Sequence, residues 1–332
     1  MGFRGWDKEP VTLANGTSAS ASCPVIISAS RSTDIPAFFS KWFSNSLRRG
    51  YIRWVNPFNR ESEYVSFSAT RVIVFWSKNP RPLIPFLPEI DERGINYYFQ
   101  FTVNDYEKER LEPHVPPLAQ RIETFRQLSE RVGKKRVIWR FDPLILTDDL
   151  TVDRLVDRVA IVGEQIKSFT ERLVVSFADI GVYNKVRNNL ARENVKYREF
   201  TSELMVELAK RLQELNRGWG LKIATCAEAV ALEPYGIGHS RCIDDQLMID
   251  VFAQDRELME FLGYEKDLFA DSSRPYLKDK GQRKECGCIV SKDIGMYDTC
   301  HHLCAYCYAN TSCKAVENNL RKHRDDSDAI VA

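Results

Sequence analysis

The chain reads as an α/β protein, a full or partial (βα) barrel of parallel strands. Short apolar runs alternate with amphipathic helical stretches, the pattern of consecutive βα units. Several runs are apolar on successive residues, as strands covered on both faces must be. A cysteine-rich C-terminal segment completes the outline: only Cys23 precedes residue 226, while Cys226, Cys242, Cys286, Cys288, Cys300, Cys304, Cys307 and Cys313 crowd the last third.

The strands expected in order are Val25–Ser30, Arg71–Trp76, Tyr97–Val103, Arg136–Phe141, Leu173–Ala178, Leu221–Thr225 and Cys288–Lys292. Between them, Leu118, Ile122, Phe125 and Leu128 form a helical stripe that starts after Pro116-Pro117. Leu155, Val159 and Val162 form another, Leu204, Leu208 and Leu212 a third, and Ile249, Phe252, Leu258 and Phe261 a last one before the polar stretch Ser272–Lys284. The organisation expected is a loose segment at 1–22, a barrel core at 23–270, a cysteine-rich segment at 271–320 that completes the barrel, and a loose tail at 321–332.

The 332 residues are 44% hydrophobic and 28% charged, the balance of a globular protein. A formal net charge of +1 gives no global attraction to nucleic acid or anionic membrane. Apolar runs such as Val72–Trp76 are far too short to span a bilayer, and Met1–Asn15 lacks a signal-like apolar stretch. A cytoplasmic protein is expected, in which nine cysteines serve metal binding or catalysis rather than disulfides.

In parallel βα architectures the working residues follow the strands. The candidate strand ends read Ser28-Ala-Ser-Arg31-Ser-Thr-Asp34, Ser77-Lys78-Asn79-Pro80, Thr102-Val-Asn104-Asp105, Arg140-Phe-Asp142-Pro143, Ser176-Phe-Ala-Asp179 and Thr225-Cys226-Ala-Glu228. Each is polar directly after apolar residues, so together they predict a polar cavity at one mouth of the barrel. A simpler reading leaves them as wet strand ends.

Cys300-His-His-Leu-Cys304-Ala-Tyr-Cys307-Tyr308 spaces three cysteines four and then three residues apart. A short loop of this kind can place three thiolates on three irons of a 4Fe–4S cluster and leave the fourth iron open. The alternative is a zinc knuckle completed by His301, His302 or Cys313, in a zinc-stabilised binding or regulatory protein without catalysis. Cys226, Cys242, Cys286 and Cys288 form a second candidate set, for another 4Fe–4S cluster or zinc, provided that an irregular turn at Gly287 aims both of its neighbours inward.

The spacing with an aromatic residue before the third cysteine resembles the radical S-adenosylmethionine superfamily. Cys300–Asn310, Phe75–Pro80, Phe99–Asp105 with Leu111-Glu112-Pro113, Pro116–Leu128 and Val137–Ile145 are similar, in that order of motifs, to its spore photoproduct lyase and DNA-repair-photolyase-like branch. One feature departs from the superfamily: its cysteine loop usually follows the first strand, and here it follows the last. The resemblance therefore implies a circularly permuted radical-SAM-type barrel. The Ser28–Pro36 and Cys286–Asn310 segments also resemble a bacterial family with no established reaction.

What the resemblance implies is an enzyme whose cluster cleaves S-adenosylmethionine to a 5′-deoxyadenosyl radical, fed by a reductant such as flavodoxin or ferredoxin. Lys78 is then expected to pair with the cofactor carboxylate, and Thr102 and Asn104 to bind its ribose or methionine. Tyr308 would sit near the adenosine, while Arg140 and Asp142 would act in catalysis or form a structural ion pair. The superfamily's Gly-Gly-Glu amine-binding triplet is missing, which leaves Ser28, Arg31 and Asp34 to take its role. The branch also suggests nucleic acid as substrate. Tyr51, Arg53, Trp54, Asn56, Phe58, Asn59 and Arg60 interleave rings and cations as stacking would need, or else form a segment packed on the barrel.

Overall fold

The computed structural model describes residues 3–57, 59–264 and 277–331. Its centre is an eight-stranded sheet: β1 (Ile26–Ala29), β2 (Val72–Ser77), β3 (Asn96–Thr102), β4 (Val137–Leu144), β5 (Arg172–Phe177), β6 (Lys222–Cys226), β7 (Gly238–Ser240) and β8 (Lys292–Asp293). The order across the sheet is β7-β6-β5-β4-β3-β2-β1-β8, and every neighbouring pair is parallel. The last strand in sequence therefore lies beside the first, with Lys292 opposite Ile27 and Asp293 opposite Ser28. In space, the cysteine loop follows the strand that precedes β1.

Alternation along the strands separates two environments. Ile27, Ile73, Phe75, Phe99, Phe101, Trp139, Leu173 and Val175 face the helices Leu118–Val132, Val152–Ile166 and Ser202–Asn216 in the main core. The other face carries Ile26, Val72, Val74, Tyr98, Ile138 and Val174, covered by Leu247, Met248, Phe252 and Leu258 from Asp245–Phe252 and Arg256–Phe261. Further along the same inner face, Gln100, Thr102, Arg140, Ser176 and Cys226 replace the aliphatic residues. The inner surface thus turns from dry to polar toward the strand ends.

The barrel is partial, which corrects the closed alternative. β7 has 3 residues and β8 has 2, too few for a ladder between the edges. One backbone hydrogen bond, Ile289 N to Ile243 O at 3.2 Å, links the two sides just before β8.

The ends are not loose. Lys8–Thr12 and Ser18–Ser22 join Ser62–Ser66 and Tyr51–Val55 in a second, four-stranded sheet. At the other end Ile330 and Val331 are buried, and Arg53 N donates to Asp328 O at 2.7 Å. The aromatic and basic stretch packs against this tail: Arg53 pairs with Asp328 at 3.2 Å, and Trp54 donates to Gly295 O at 3.0 Å under the Lys292 ammonium. Phe58 and the 270/271 boundary lie outside the described residues.

Candidate thiol-lined active site

The polar ends of the sheet and the loop after β8 enclose a cavity of about 400 Å³. Seven cysteines line it: Cys226, Cys242, Cys286, Cys288, Cys300, Cys304 and Cys307. So do Arg31, Asp34, Lys78, Thr102, Arg140, Asp142 and Tyr308. Ser28 and Asn104 do not face it. Ser28 is buried and donates to Asp293 at 2.7 Å. The Asn104 amide donates to Glu112 and to Asp142 O, both at 2.9 Å, while its oxygen accepts from Asp142 N at 2.8 Å. Both residues brace the wall, which corrects their expected role in holding a cofactor.

The loop carrying Cys300, Cys304 and Cys307 is tied down at each turn. Leu303 adopts a left-handed φ of 52°, which reverses the chain between the first two cysteines. Cys307 N donates to Cys304 O at 3.0 Å, and Ala305 N to Leu111 O at 2.9 Å. Asn310 N donates to Cys307 Sγ at 3.3 Å, its amide donates to Cys300 O at 2.8 Å, and Asn189 donates to Cys307 O at 2.9 Å. Burial raises all three thiols, Cys300 to about 12, so without a ligand they are neutral.

Two polar clusters hold the loop to the sheet. Asp34 Oδ1 accepts from Ala37 N at 2.9 Å and Ser77 Oγ at 2.8 Å; its Oδ2 accepts from Lys78 N at 2.7 Å and lies 2.8 Å from His302 Nε2. With both oxygens engaged, Asp34 is a buried hub rather than a free carboxylate for an amine. His302, buried against Phe38, positions the loop and is not available as a metal ligand. Cys313 is exposed at the start of the helix Cys313–Lys322, away from the cavity lining.

In the second cluster Lys78 Nζ donates to Glu112 at 2.7 Å and to Tyr306 OH at 3.0 Å, and Tyr306 also donates to Glu112. Arg121 lies 3.6 Å from the other Glu112 oxygen. Burial alone would push the Glu112 carboxyl up, but Lys78 and Arg121 outweigh it and hold it at about 2. Lys78 is therefore charge-balanced within the protein. Glu112 and Tyr306 were missed as site residues because a loop and a long-range contact bring them together; their only signal was their place inside the resembling motifs.

Arg140 and Asp142 form an ion pair at 2.6 Å, and Ser176 donates to the second Asp142 oxygen. Arg140 also donates to Cys242 Sγ at 3.0 Å. Tyr308 donates to Arg31 O at 2.5 Å at the rim. Arg31 lies over the Trp76 ring at 5.1 Å, and its Nη2 is buried with no hydrogen-bond partner, as is Thr33 Oγ1. Across the mouth Arg283, absent from the expected site, binds Tyr183 at 2.6 Å and Asp179.

Gly295, just after β8, is required by packing. A Cβ there would lie 1.8 Å from Ser30 Oγ, inside any allowed contact. The close approach lets the segment leading to Cys300 press onto the β1 loop.

Fold and site together define a parallel α/β partial barrel with a thiol-rich cavity at the C-terminal ends of its strands. The family model described as "Domain of unknown function (DUF1848)" matches residues 26–309, and the chain belongs to that family. No curated protein matches it. Among solved structures it is similar to the "putative alpha-L-fucosidase from Bacteroides thetaiotaomicron VPI-5482" at 12% identity, over 60% of this chain and 73% of that one, with a TM-score of 0.23. That likeness is too slight to bear on fold or function. Among the described residues no helix is long and apolar enough to cross a membrane.

Proposed function

We propose that the chain is a radical S-adenosylmethionine enzyme whose 4Fe–4S cluster is held by Cys300, Cys304 and Cys307. The observation that carries this reading is the convergence of those three cysteines on one cavity, beyond the strand that lies beside β1. Among the described residues, no three His, Cys, Asp or Glu side chains gather closely enough to hold a single metal ion. His302 is held by Asp34, and Cys313 is exposed and does not line the cavity, so neither stands ready to complete a zinc knuckle, whereas a 4Fe–4S cluster with one open iron needs only three thiolates.

When bound, the cluster and S-adenosylmethionine would supply one-electron chemistry that ends in hydrogen abstraction from substrate. The chain's own residues bind, orient and insulate. Three thiols lose their protons to become ligands, which burial otherwise resists. Asn310 N–H donates to the Cys307 sulfur, which favours the thiolate. The Lys78–Glu112–Tyr306 cluster fixes the stretch between Cys304 and Cys307 from below. Thr33 and Thr102 remain on the wall as polar contacts for a ligand. A volume of about 400 Å³ lies in the roughly 300–1,000 Å³ range of small-molecule sites.

Anaerobic reconstitution with iron and sulfide tests the reading. The protein should turn brown, and with dithionite and S-adenosylmethionine it should release 5′-deoxyadenosine; Cys304→Ala should abolish that release while keeping the wild-type circular dichroism. A folded, reconstituted protein that yields no 5′-deoxyadenosine above the Cys304→Ala background would defeat the proposal.

A further inference from the structure

We infer that Cys226, Cys242, Cys286 and Cys288 bind a second iron–sulfur cluster, in the same cavity as the Cys300 loop. The inference goes beyond the proposed function, which needs only the first three cysteines.

The four thiols come from three separate parts of the chain. Cys226 ends β6, Cys242 follows β7, and Cys286 and Cys288 precede β8. They meet where the sheet fails to close, so the gap between β7 and β8 is filled by sulfur. Cys226 Sγ and Cys242 Sγ are 3.5 Å apart. Cys288 Sγ accepts from Cys242 N at 3.2 Å and from Ile243 N at 3.4 Å. Cys286 and Cys288 flank Gly287, and both line the cavity despite the strand alternation that would separate them. The turn that ends in Cys286 N donating to Arg283 O at 3.0 Å breaks that alternation.

The surroundings are made for anionic sulfur. Two backbone N–H groups and Arg140 Nη1 already donate to these sulfur atoms, the pattern that stabilises thiolate ligands of a cluster. Arg31 lines the same cavity. Its Nη2 is buried without a partner, a donor for which the protein offers no acceptor. An anionic cluster supplies one.

The closest sulfur pair, Cys226 and Cys242, meets side by side, with the Cys288 sulfur held against the backbone of Cys242. The separation of 3.5 Å is well outside a disulfide bond of about 2.05 Å.

The test is iron and sulfide content after anaerobic reconstitution of the full chain, in wild type, in Cys300→Ala/Cys304→Ala/Cys307→Ala and in Cys226→Ser/Cys242→Ser. With two cubanes, wild type should hold about eight irons and each variant about four. The first variant should keep its brown colour while losing 5′-deoxyadenosine formation. Should the triple variant be unfolded by circular dichroism, Cys304→Ala alone serves in its place. The inference is overturned if Cys226→Ser/Cys242→Ser keeps the full wild-type iron, if the iron-free second site takes up one zinc, or if only a Cys226–Cys242 disulfide is found. Failure of the first site alone would look different: the triple variant would then match wild type in iron.

Discussion

Glu112 is the most informative single position to change. Its carboxylate is the counter-ion of buried Lys78 and Arg121, and it accepts from Tyr306 and Asn104. Glu112→Gln keeps the shape and removes the charge. Breaking a buried pair in this way leaves cations uncompensated and costs about 3–5 kcal/mol. The carboxyl is held at about 2 against an ordinary 4.5, which corresponds to roughly 3 kcal/mol of linked stability. Because the folded-state value is depressed, that stability is fully present above about pH 4.5 and is lost as pH falls toward 2. By pH 3 about 2 kcal/mol of it is gone.

Urea unfolding of wild type and Glu112→Gln at intervals from pH 7 to pH 3 measures both quantities. The variant should be about 3–5 kcal/mol less stable at pH 7, and the difference should shrink by about 2 kcal/mol at pH 3. A loss below about 1 kcal/mol with parallel pH curves would refute the view that this carboxylate is a buried, charge-compensated anchor.

Gly295→Ala must displace Ser30 or the loop after β8, and should lower stability by about 1–3 kcal/mol in thermal unfolding; an unchanged melting temperature would contradict the close packing. Asp34→Ala removes an acceptor of four contacts, from Ala37, Ser77, Lys78 and His302, and should cost about 3 kcal/mol or more in urea unfolding. The same variant should lose reconstituted iron faster to a chelator than wild type, because His302 no longer anchors the cysteine loop. Metal uptake should release protons from the three raised thiols, so iron retention should weaken as pH falls from 8 to 6; a flat profile would argue against thiolate ligands.

Much of the sheet was legible because parallel strands buried on both faces leave continuous apolar runs. Six of the seven expected runs coincide with β1–β6, with ends shifted by up to a few residues, whereas of Cys288–Lys292 only Lys292 lies in β8, and Ile289 makes an isolated antiparallel bridge to Lys278 instead. β7 was not legible, since Gly238-His-Ser carries no β-forming apolar residue and is a strand only through its pairing with β6. The N-terminal sheet escaped for a similar reason: Ser18–Ser22 reads SASAS, and its order comes from partners at Lys8–Thr12 and Ser62–Ser66.

The site divides along the same line. The cysteine loop announces itself because its ligands are close in sequence. Cys226, Cys242 and Cys286–Cys288 could be listed from the sequence, but only the unclosed edge between β7 and β8 brings them together. Polar residues after strands marked the right mouth without revealing which were already spoken for. Asp34 caps the Lys78 backbone and holds His302, while Lys78 and Asn104 share Glu112 and Tyr306, so most of these partners come from distant parts of the chain.

The proposed function requires that three thiolates of the C-terminal loop hold a 4Fe–4S cluster with one iron open to S-adenosylmethionine. Electron paramagnetic resonance of the anaerobically reconstituted, dithionite-reduced protein reads that open iron directly. The expected result is a reduced-cluster signal that changes on adding S-adenosylmethionine, with loss of that response in Cys304→Ala. A signal indifferent to S-adenosylmethionine, or no cluster signal at all in folded protein, would contradict it.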